Sequence, residues 1–332
     1  MAERQTNKPQ DIMRNWIIAA TLSLLSGLPA MAGDYPDRPL KLIVPFAAGG
    51  VTDVVARVSA EFLGAKLNQA VIVENVPGAG GNTGIAQMIK AGKDGYTLGL
   101  VATGNLAINP HLFAKMPFDA LKDVAPIAVI AEAPQLLVIS STVPAKNLTE
   151  FIAYAKAHPG KISYGSAGVG TTNHLAADAF ARATGVEMVH VPFRGAAPAV
   201  NDLIGGHIDF MAVAAAPVIQ HIQAGALRSL GVAAPNRLKT LPDQMTVAEA
   251  GLDNYNATTW FGIVAPTGTD PAIIQRLNGY LREMTTDAEV LKKFDASYLE
   301  PMSFSIAQFQ TLVREDFAKW KGIVEASGAR LE

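Results

Sequence analysis

Cysteine is absent from this chain of 332 residues. Its absence excludes disulfide bonds and thiolate metal sites, so the folded protein has to be held together by packing. Charge is also scarce, because only 17% of the residues are charged and the formal net charge is -2. This near-neutral balance leaves no basic surface that would indicate binding to nucleic acid. The six histidines do not complete a set of metal ligands with neighbouring carboxylates, so we expect no metal.

Motifs for nucleotide binding and for nucleophilic catalysis are missing as well. Reading G-x-G-x-x-G from Gly78 finds Thr83 in place of the last glycine, and no G-x-x-x-x-G-K-[ST] loop occurs. The G-x-S-x-G turn of hydrolases fails around Ser166, because Tyr164 stands where its first glycine belongs. We therefore expect no cofactor, and we do not expect an enzyme.

The first 32 residues have the pattern of an export signal. A basic leader precedes an apolar run at residues 16–28, which is too short to span a bilayer comfortably, and Ala-Met-Ala at 30–32 supplies a cleavage site. Either Met1 or Met13 can serve as the start of translation. The pattern predicts a signal peptide over residues 1–32, a periplasmic mature chain and no membrane span in that mature chain. The alternative is a retained membrane anchor.

The rest of the sequence has the composition and element pattern of a two-lobed α/β protein. A mature chain of roughly 300 residues is about twice as long as a common domain. Hydrophobic residues make up 49% of the sequence, which is ample for two cores. Short apolar strands alternate with amphipathic helices, which predicts a mostly parallel sheet with right-handed crossovers in each lobe.

The apolar stretch at residues 124–140 predicts the first crossing between the lobes. Pro126 and Pro134 interrupt it, which favours two short strands with a bend between them. The apolar stretch that begins at Trp260 then leads the chain back. The predicted first lobe comprises residues 34–132 and 260–332, and the second comprises residues 133–259. Two crossings of this kind are typical of a hinged clamshell.

Capping residues mark three helix starts at the level of sequence. Asn147 with Glu150 and Ser305 with Gln308 form capping boxes. Asp270 precedes Pro271, which is suited to the first turn of a helix.

The stretch at residues 42–57 predicts a strand, a glycine loop and a helix start in the first lobe. Pro45 ends the strand, and Gly49 and Gly50 allow the backbone to pass close to a neighbour. Thr52 and Asp53 have side chains that can cap the helix. Unpaired N–H groups and the positive end of the helix dipole would suit a carboxylate or a phosphate. The alternative is an ordinary tight turn between strand and helix.

Two further loops repeat this arrangement. The glycine-rich residues 75–84 open a helix and can present N–H groups to a small anion, while Thr103 and Asn105 follow a strand at the sheet edge where α/β proteins place ligands. In the second lobe, residues 165–174 place hydroxyl groups and glycines at a helix start. The sequence thus predicts two loop-bearing walls that face each other.

Seven motifs are spread along the whole mature chain: VPFAAGGVTDVVAR, ENVPGAGGNTG, DGYTL, NPHLF, YGSAGVGTTNHLAA, VPFRGAAPAVNDLIGGHIDF and WFGIVAP. In sequence and in order they resemble those of the Bug family, the periplasmic solute receptors of tripartite tricarboxylate transporters. The resemblance implies a two-lobed, type II-like periplasmic-binding-protein fold that closes on a small organic anion. It implies that backbone N–H groups and waters hold a carboxylate, and that the partners are the permease subunits of the transporter.

The resemblance and the loop pattern together give a set of predicted ligand-binding residues. These are Phe46, Ala48, Gly49, Gly50, Thr52, Gly81, Asn82, Thr103, Asn105, Ser166, Gly168, Gly170, Thr171, His174, Arg194 and Asp209.

Arg194 follows Phe193, where many relatives resemble Tyr-Lys, and its guanidinium could grip a second carboxylate bidentately. The alternative is a solvated charge at a helix start. Asp209 could accept from a ligand amine or could make a structural hydrogen bond, and Asp53 is interpreted as a helix cap.

Two other functions stay open at this point. The loaded clamshell could contact a sensor kinase instead of a permease, because a sequence does not reveal partners. A periplasmic enzyme acting on a small acid is the other alternative, although no general base with an arranged nucleophile is recognisable. In each case we expect a monomer that binds a small mono- or dicarboxylate.

Overall fold

The computed structural model describes residues 35–253 and 255–331, so the predicted signal peptide lies outside the described residues. Within them, ten strands and ten α-helices follow one another along the chain. The strands are β1 (Leu40–Val44), β2 (Val71–Asn75), β3 (Thr97–Ala102), β4 (Val124–Ser140), β5 (Ile162–Ser166), β6 (Met188–Pro192), β7 (Phe210–Ala214), β8 (Leu227–Val232), β9 (Thr258–Pro266) and β10 (Glu300–Pro301).

The helices are α1 (Val51–Leu67), α2 (Asn82–Lys90), α3 (Asn109–Leu112), α4 (Leu148–Ala157), α5 (Thr172–Thr184), α6 (Ala196–Ile204), α7 (Ile219–Gln223), α8 (Pro271–Met284), α9 (Ala288–Asp295) and α10 (Ile306–Ser327). A 3-10 turn (Ala79–Gly81) and a π turn (Gly104–Ile108) precede α2 and α3. Across the described ranges, none of the helices combines the length and the apolar character needed to cross a bilayer.

All ten strands belong to one sheet with the order β2-β1-β3-β9-β4-β7-β5-β6, and β8 and β10 pair with β4 as well. The parallel pairs lie towards the two ends, where β1 contacts β2 and β3, and β5 contacts β6 and β7. The pairs around β4 and β9 are antiparallel. The α/β fold class is therefore confirmed, but the sheet is mixed where the sequence predicted a mostly parallel one. It is mixed because β4 carries the chain out of the first lobe and β9 brings it back.

β4 is one strand of 17 residues, so the prediction of two short strands with a bend was wrong. Its first part pairs with β9, as far as Pro134 opposite Thr258, and its second part pairs with β7 and β8 from Gln135 onward. A register shift between Pro126 and Ala128 accommodates the missing N–H of the proline without ending the strand.

The change of partners along β4 divides the molecule into two lobes. We propose the boundary at Pro134 and Gln135, close to the predicted division at residues 132 and 133. The first lobe then holds β1–β3, β9, β10 and the first part of β4, with α1–α3 and α8–α10. The second lobe holds the rest of β4, with β5–β8 and α4–α7.

An apolar cluster joins the two lobes directly. It contains Leu112 of α3, Leu175 of α5, and Trp320 and Val324 of α10, all buried, and we call it the interlobe cluster. Leu175 is its contribution from the second lobe. Each lobe also has its own buried core on the sheet, and in the second lobe Phe151, Phe180 and Phe210 stack on one another.

Candidate functional site

The first-lobe loop after β1 ends at a helix that begins without a side-chain cap. Gly50 occupies the N-cap of α1, so the prediction that Thr52 and Asp53 cap this helix was wrong. In the described part of the chain, neither Val51 nor Thr52 has a hydrogen-bond acceptor for its backbone N–H. These two N–H groups are available to an anion at the positive end of the helix dipole.

Asp53 is buried one turn into α1 and fixes the shape of this loop. Its Oδ2 accepts from the backbone N–H of Gly49 at 3.0 Å and from Nε of Arg57 at 2.9 Å. Its Oδ1 accepts from Nδ2 of Asn75 at 3.0 Å, and the same amide donates to the carbonyl of Phe46. The hydrogen bond from Arg57, helped by those from Gly49 and Asn75, lowers the pKa of Asp53 to about 2. Asp53 is thus an ionised structural residue beneath the loop.

The glycine loop before α2 is held from behind by two asparagines. Nδ2 of Asn105 and Nδ2 of Asn109 both donate to the carbonyl of Gly80, at 3.1 and 3.0 Å. Asn109 also donates to Oδ1 of Asn82. The hydroxyl of Thr103 accepts from the backbone N–H of Trp260 at 2.9 Å. Asn82, Thr103 and Asn105 are all buried. Thr103 and Asn105 bind backbone groups in this structure, whereas Asn82 binds the side chains of Asn109 and Met116.

The second-lobe loop between β5 and α5 is built around two hydroxyl groups. Thr171 is the N-cap of α5, and its hydroxyl donates to the carbonyl of Gly168 at 2.7 Å. Oγ of the fully buried Ser166 accepts from the backbone N–H of Gly168 at 3.1 Å. Nδ1 of His174 accepts from the backbone N–H of Gly170 at 3.1 Å, so this nitrogen carries no proton. The N–H groups of Thr172 and Asn173 have no acceptor in the described residues.

Three aromatic rings stack beneath this loop. The rings of His174 and His190 lie 3.9 Å apart, and Tyr164 stacks on His190 at 4.9 Å. Burial, and secondarily the neighbouring His174, lowers the pKa of His190 to about 4. Burial also lowers the pKa of His174, against the opposing effect of Asp178. Both imidazoles are therefore neutral at neutral pH.

Acidification should destabilise the protein through these two histidines. An unfolded histidine takes up a proton near pH 6.5, whereas the folded His190 resists protonation down to about pH 4. Stability should thus fall as the pH drops from 6.5 towards 4. In His190→Phe, which keeps a ring in the stack, urea unfolding should show a smaller fall over this interval. His158→Phe, which changes an exposed histidine, should keep the slope of the unmodified protein. If the unfolding free energy of all three proteins fell equally with pH, His190 would not be the source of the acid sensitivity.

Ser166 and His190 form the hydrogen bond that most resembles a catalytic pair, with Oγ and Nε2 2.7 Å apart. Ser166, however, is completely buried, and its Oγ also binds the backbone N–H and carbonyl of Gly168. Within residues 35–253 and 255–331, no group of three or more metal-ligating side chains comes together.

A cavity of about 560 Å³ lies between the two loops. Residues of both lobes line it, and among them are six of the predicted ligand residues: Phe46, Gly50, Thr52, Gly168, Gly170 and Thr171. Lining residues that the sequence did not predict include Val51, Asn109, Leu112, Phe113, Gln135, Val169, Asn173, Ala196, Val213, Thr259, Phe261 and Leu331. The cavity is thus formed by loops from both lobes together with β4, β7 and β9.

The other predicted residues lie outside this lining. Ala48 and Gly49 are exposed on the first loop, and Gly81 is buried beside Asn105. Asp209 accepts from the backbone N–H and the hydroxyl of Ser163, both at 2.8 Å. This is the structural hydrogen bond that the sequence analysis gave as the alternative to a ligand contact. Arg194 is exposed between β6 and α6, and its contact with a ligand stays a prediction.

Gln135 and Asn173 are the polar residues whose role the sequence analysis missed. Nδ2 of Asn173 donates to Oε1 of Gln135 at 3.0 Å and to the carbonyl of Ala212 at 2.8 Å. Gln135 is 3% exposed, and it is one of the few polar residues in the apolar stretch at 124–140. The sequence signal that could have identified Gln135 was a lone amide side chain within an apolar stretch.

The lining contains no Asp, Glu, Lys, Arg or His among the described residues. Positive potential comes instead from helix N-termini: α1 in the first lobe, and α5 and α6 in the second, where Ala196 begins α6 after an N-cap glycine without a side-chain bond. Such a site recognises an anion through backbone N–H groups.

Comparison with known proteins finds relatives over almost the whole chain. The family model described as "Tripartite tricarboxylate transporter family receptor" matches residues 55–329. Protein BugT of Bordetella pertussis is 35% identical over 305 residues, which is 92% of this chain and 94% of that protein. A Rhodopseudomonas palustris protein solved with adipate is 32% identical, covers 90% of this chain and all of its own, and superposes with a TM-score of 0.81. MatC of the same species, solved with malate, is 30% identical with a TM-score of 0.76, over 87% of this chain and 100% of its own.

Proposed function

Because the chain belongs to the tripartite tricarboxylate transporter receptor family, we propose that it captures a small organic carboxylate between its lobes and delivers it to the membrane subunits of such a transporter. The family is one of periplasmic solute-binding receptors. For this chain, export by residues 1–32, action as a monomer and the permease partners belong to the proposal.

The observation that carries the proposal is a pair of backbone N–H groups on each wall of the cavity that have no acceptor among the described residues. Val51 and Thr52 begin α1 in the first lobe, and Thr172 and Asn173 begin α5 in the second. A carboxylate between them satisfies donors that lack a protein acceptor, and it does so at the positive ends of both helices. A ligand that contacts both walls favours the closed arrangement of the lobes.

The two solved relatives support a carboxylate as the ligand. One holds adipate and the other malate, at 32% and 30% identity to this chain. Both ligands are small dicarboxylates, which a cavity of about 560 Å³ can accommodate.

Carboxylates should stabilise the protein against unfolding. A ligand that binds only the folded state adds RT ln(1 + [L]/Kd), which is about 3 kcal/mol at a hundredfold excess over Kd. Thermal-shift scans with mono- and dicarboxylates should therefore raise Tm, and calorimetry on the best acid should give a one-site isotherm. The diamides of the same acids are the matched control, because they keep the skeleton and lose the charge. A Tm that rises with the amides or with sugars, but with no acid, would refute the proposal.

A further inference from the structure

We propose that the cleft selects acids whose body is plain hydrocarbon and discriminates against acids of the same length that carry hydroxyl groups. This inference rests on the proposed function, because it names the class of carboxylate that the same cleft takes.

Most of the cavity lining is apolar. Phe46 and Leu112 come from the first lobe, Val169 and Val213 from the second, and Phe261 from β9. Val169 is 37% exposed, which is unusual for a valine, and it stands on the loop that precedes α5. Val169 and the partly exposed Phe46 gain by burial against a hydrocarbon ligand. Leu112, Val213 and Phe261 are already buried, and they give the cavity an apolar wall.

Most of the amide donors in the lining already have partners in the protein. Both N–H groups of Asn109 are taken, by the carbonyl of Gly80 and by Oδ1 of Asn82. Those of Asn173 are taken in the same way, by Oε1 of Gln135 and the carbonyl of Ala212. These two amides therefore have no N–H left to donate to a ligand hydroxyl. Gln135 is the third lining amide, and its Nε2 donates to the carbonyl of Ala133 at 3.4 Å, so one of its N–H groups has no acceptor in the described residues.

The hydroxyl groups of the lining lie mainly where the charged ends of a ligand belong. Thr52 and Thr172 are in the first turns of α1 and α5, and Thr171 donates to Gly168. Among the described lining residues, Thr259 is the hydroxyl that stands apart from a helix start. A hydroxyl in the middle of the ligand would thus lose water without gaining a full set of hydrogen bonds. Such a group weakens binding by about fivefold to a hundredfold.

Two series of acids test this inference by titration calorimetry. Succinate, glutarate, adipate and suberate add one or two methylenes at a time, and affinity should rise about threefold to fourfold per methylene until the cavity is full. Succinate, malate and tartrate add one hydroxyl at a time to one skeleton, and affinity should fall about fivefold or more at each step.

Val169→Thr tests the apolar wall with little risk to the fold, because the residue is partly exposed. In this variant each added methylene should raise the affinity by less than in the unmodified protein. The ratio of succinate affinity to malate affinity should be about twofold to fivefold smaller. Val189→Thr is the control, because it makes the same change at a valine that is 50% exposed and does not line the cavity. Its affinity gain per methylene and its ratio of succinate to malate affinity should equal those of the unmodified protein.

The outcomes separate this inference from the proposed function. Malate or tartrate binding as tightly as succinate, or no gain with chain length, would overturn the inference and leave the carboxylate receptor intact. Equal ratios in Val169→Thr and Val189→Thr would also overturn it. Binding of no acid in either series would overturn both.

Discussion

Gly170→Ala should prevent full closure of the lobes and weaken carboxylate binding by about tenfold to a hundredfold. A methyl group built on Gly170 would overlap the side chain of Leu112, which approaches from the first lobe. Leu112 cannot retreat easily, because it is 2% exposed and packed in the interlobe cluster with Leu175 and Trp320. Gly170 and Leu112 belong to opposite walls, so we expect the arrangement in which the walls meet to bear the penalty of about 1–3 kcal/mol that overpacking causes.

Gly160→Ala is the matched control for this substitution. Gly160 has φ +68° and Gly170 has φ +78°, so an alanine at either site bears a similar backbone strain, but no atom lies within 4 Å of the methyl group at residue 160. Both variants should lose about 1 kcal/mol of stability from the left-handed backbone. Only Gly170→Ala should lose affinity and fail to contract in small-angle scattering with saturating ligand.

Leu112→Ala should restore part of the lost affinity when it is combined with Gly170→Ala, since it removes the atoms that overlap. A double-mutant cycle measures this coupling. If Gly170→Ala bound the best acid within twofold of Gly160→Ala, direct contact of the walls would not control binding.

Asp53→Asn should cost about 2 kcal/mol of unfolding free energy at pH 7, and the cost should disappear at low pH. The pKa of Asp53 in the folded protein is about 2, below its ordinary value of 3.8, because Arg57 donates to its carboxylate. A carboxyl whose pKa is depressed by folding contributes stability that is fully present above about pH 4 and is lost as the pH falls through 2. About half of the difference between the two proteins should remain at pH 3.

Urea unfolding from pH 7 to pH 3 measures this difference directly. Asp119→Asn is the control, because Asp119 is a partly exposed carboxylate paired with the exposed Lys122, and surface pairs of this kind contribute about 0–1 kcal/mol. If the unfolding free energies of Asp53→Asn and the unmodified protein differed by the same amount at every pH, the prediction would be contradicted. The shape of Asp53, and not its charge, would then be what the loop requires.

The parts of the fold that depend on neighbours in sequence could be predicted. Asn147, Asp270 and Ser305 cap α4, α8 and α10, because a cap and its helix lie within one turn of chain. The loops at Gly50 and Gly170 were predicted for the same reason. Both follow a strand, open a helix and line the cavity.

The parts that depend on distant neighbours were beyond the sequence. Asn105 was predicted to face a ligand because it follows a strand at the sheet edge, and Asp209 was given a ligand contact or a structural hydrogen bond. In the fold, Asn105 donates to Gly80, and Asp209 accepts from Ser163. Phe261 lines the cavity because of the register in which β9 pairs with β3 and β4. Sequence spacing does not determine a register of this kind.

The pairing of β4 with β9 has a consequence for the entropy of ligand capture. Where the chain passes between the lobes, Ala133 lies opposite Thr259 and Pro134 opposite Thr258, so the connection is a two-stranded ribbon. Free linkers would become disordered whenever the lobes separated, and each of their residues would lose about 1–2 kcal/mol of backbone entropy on closing. The ribbon is ordered before the ligand arrives. More of the contact free energy between the two walls and the acid therefore remains as affinity, even though the acid itself is small.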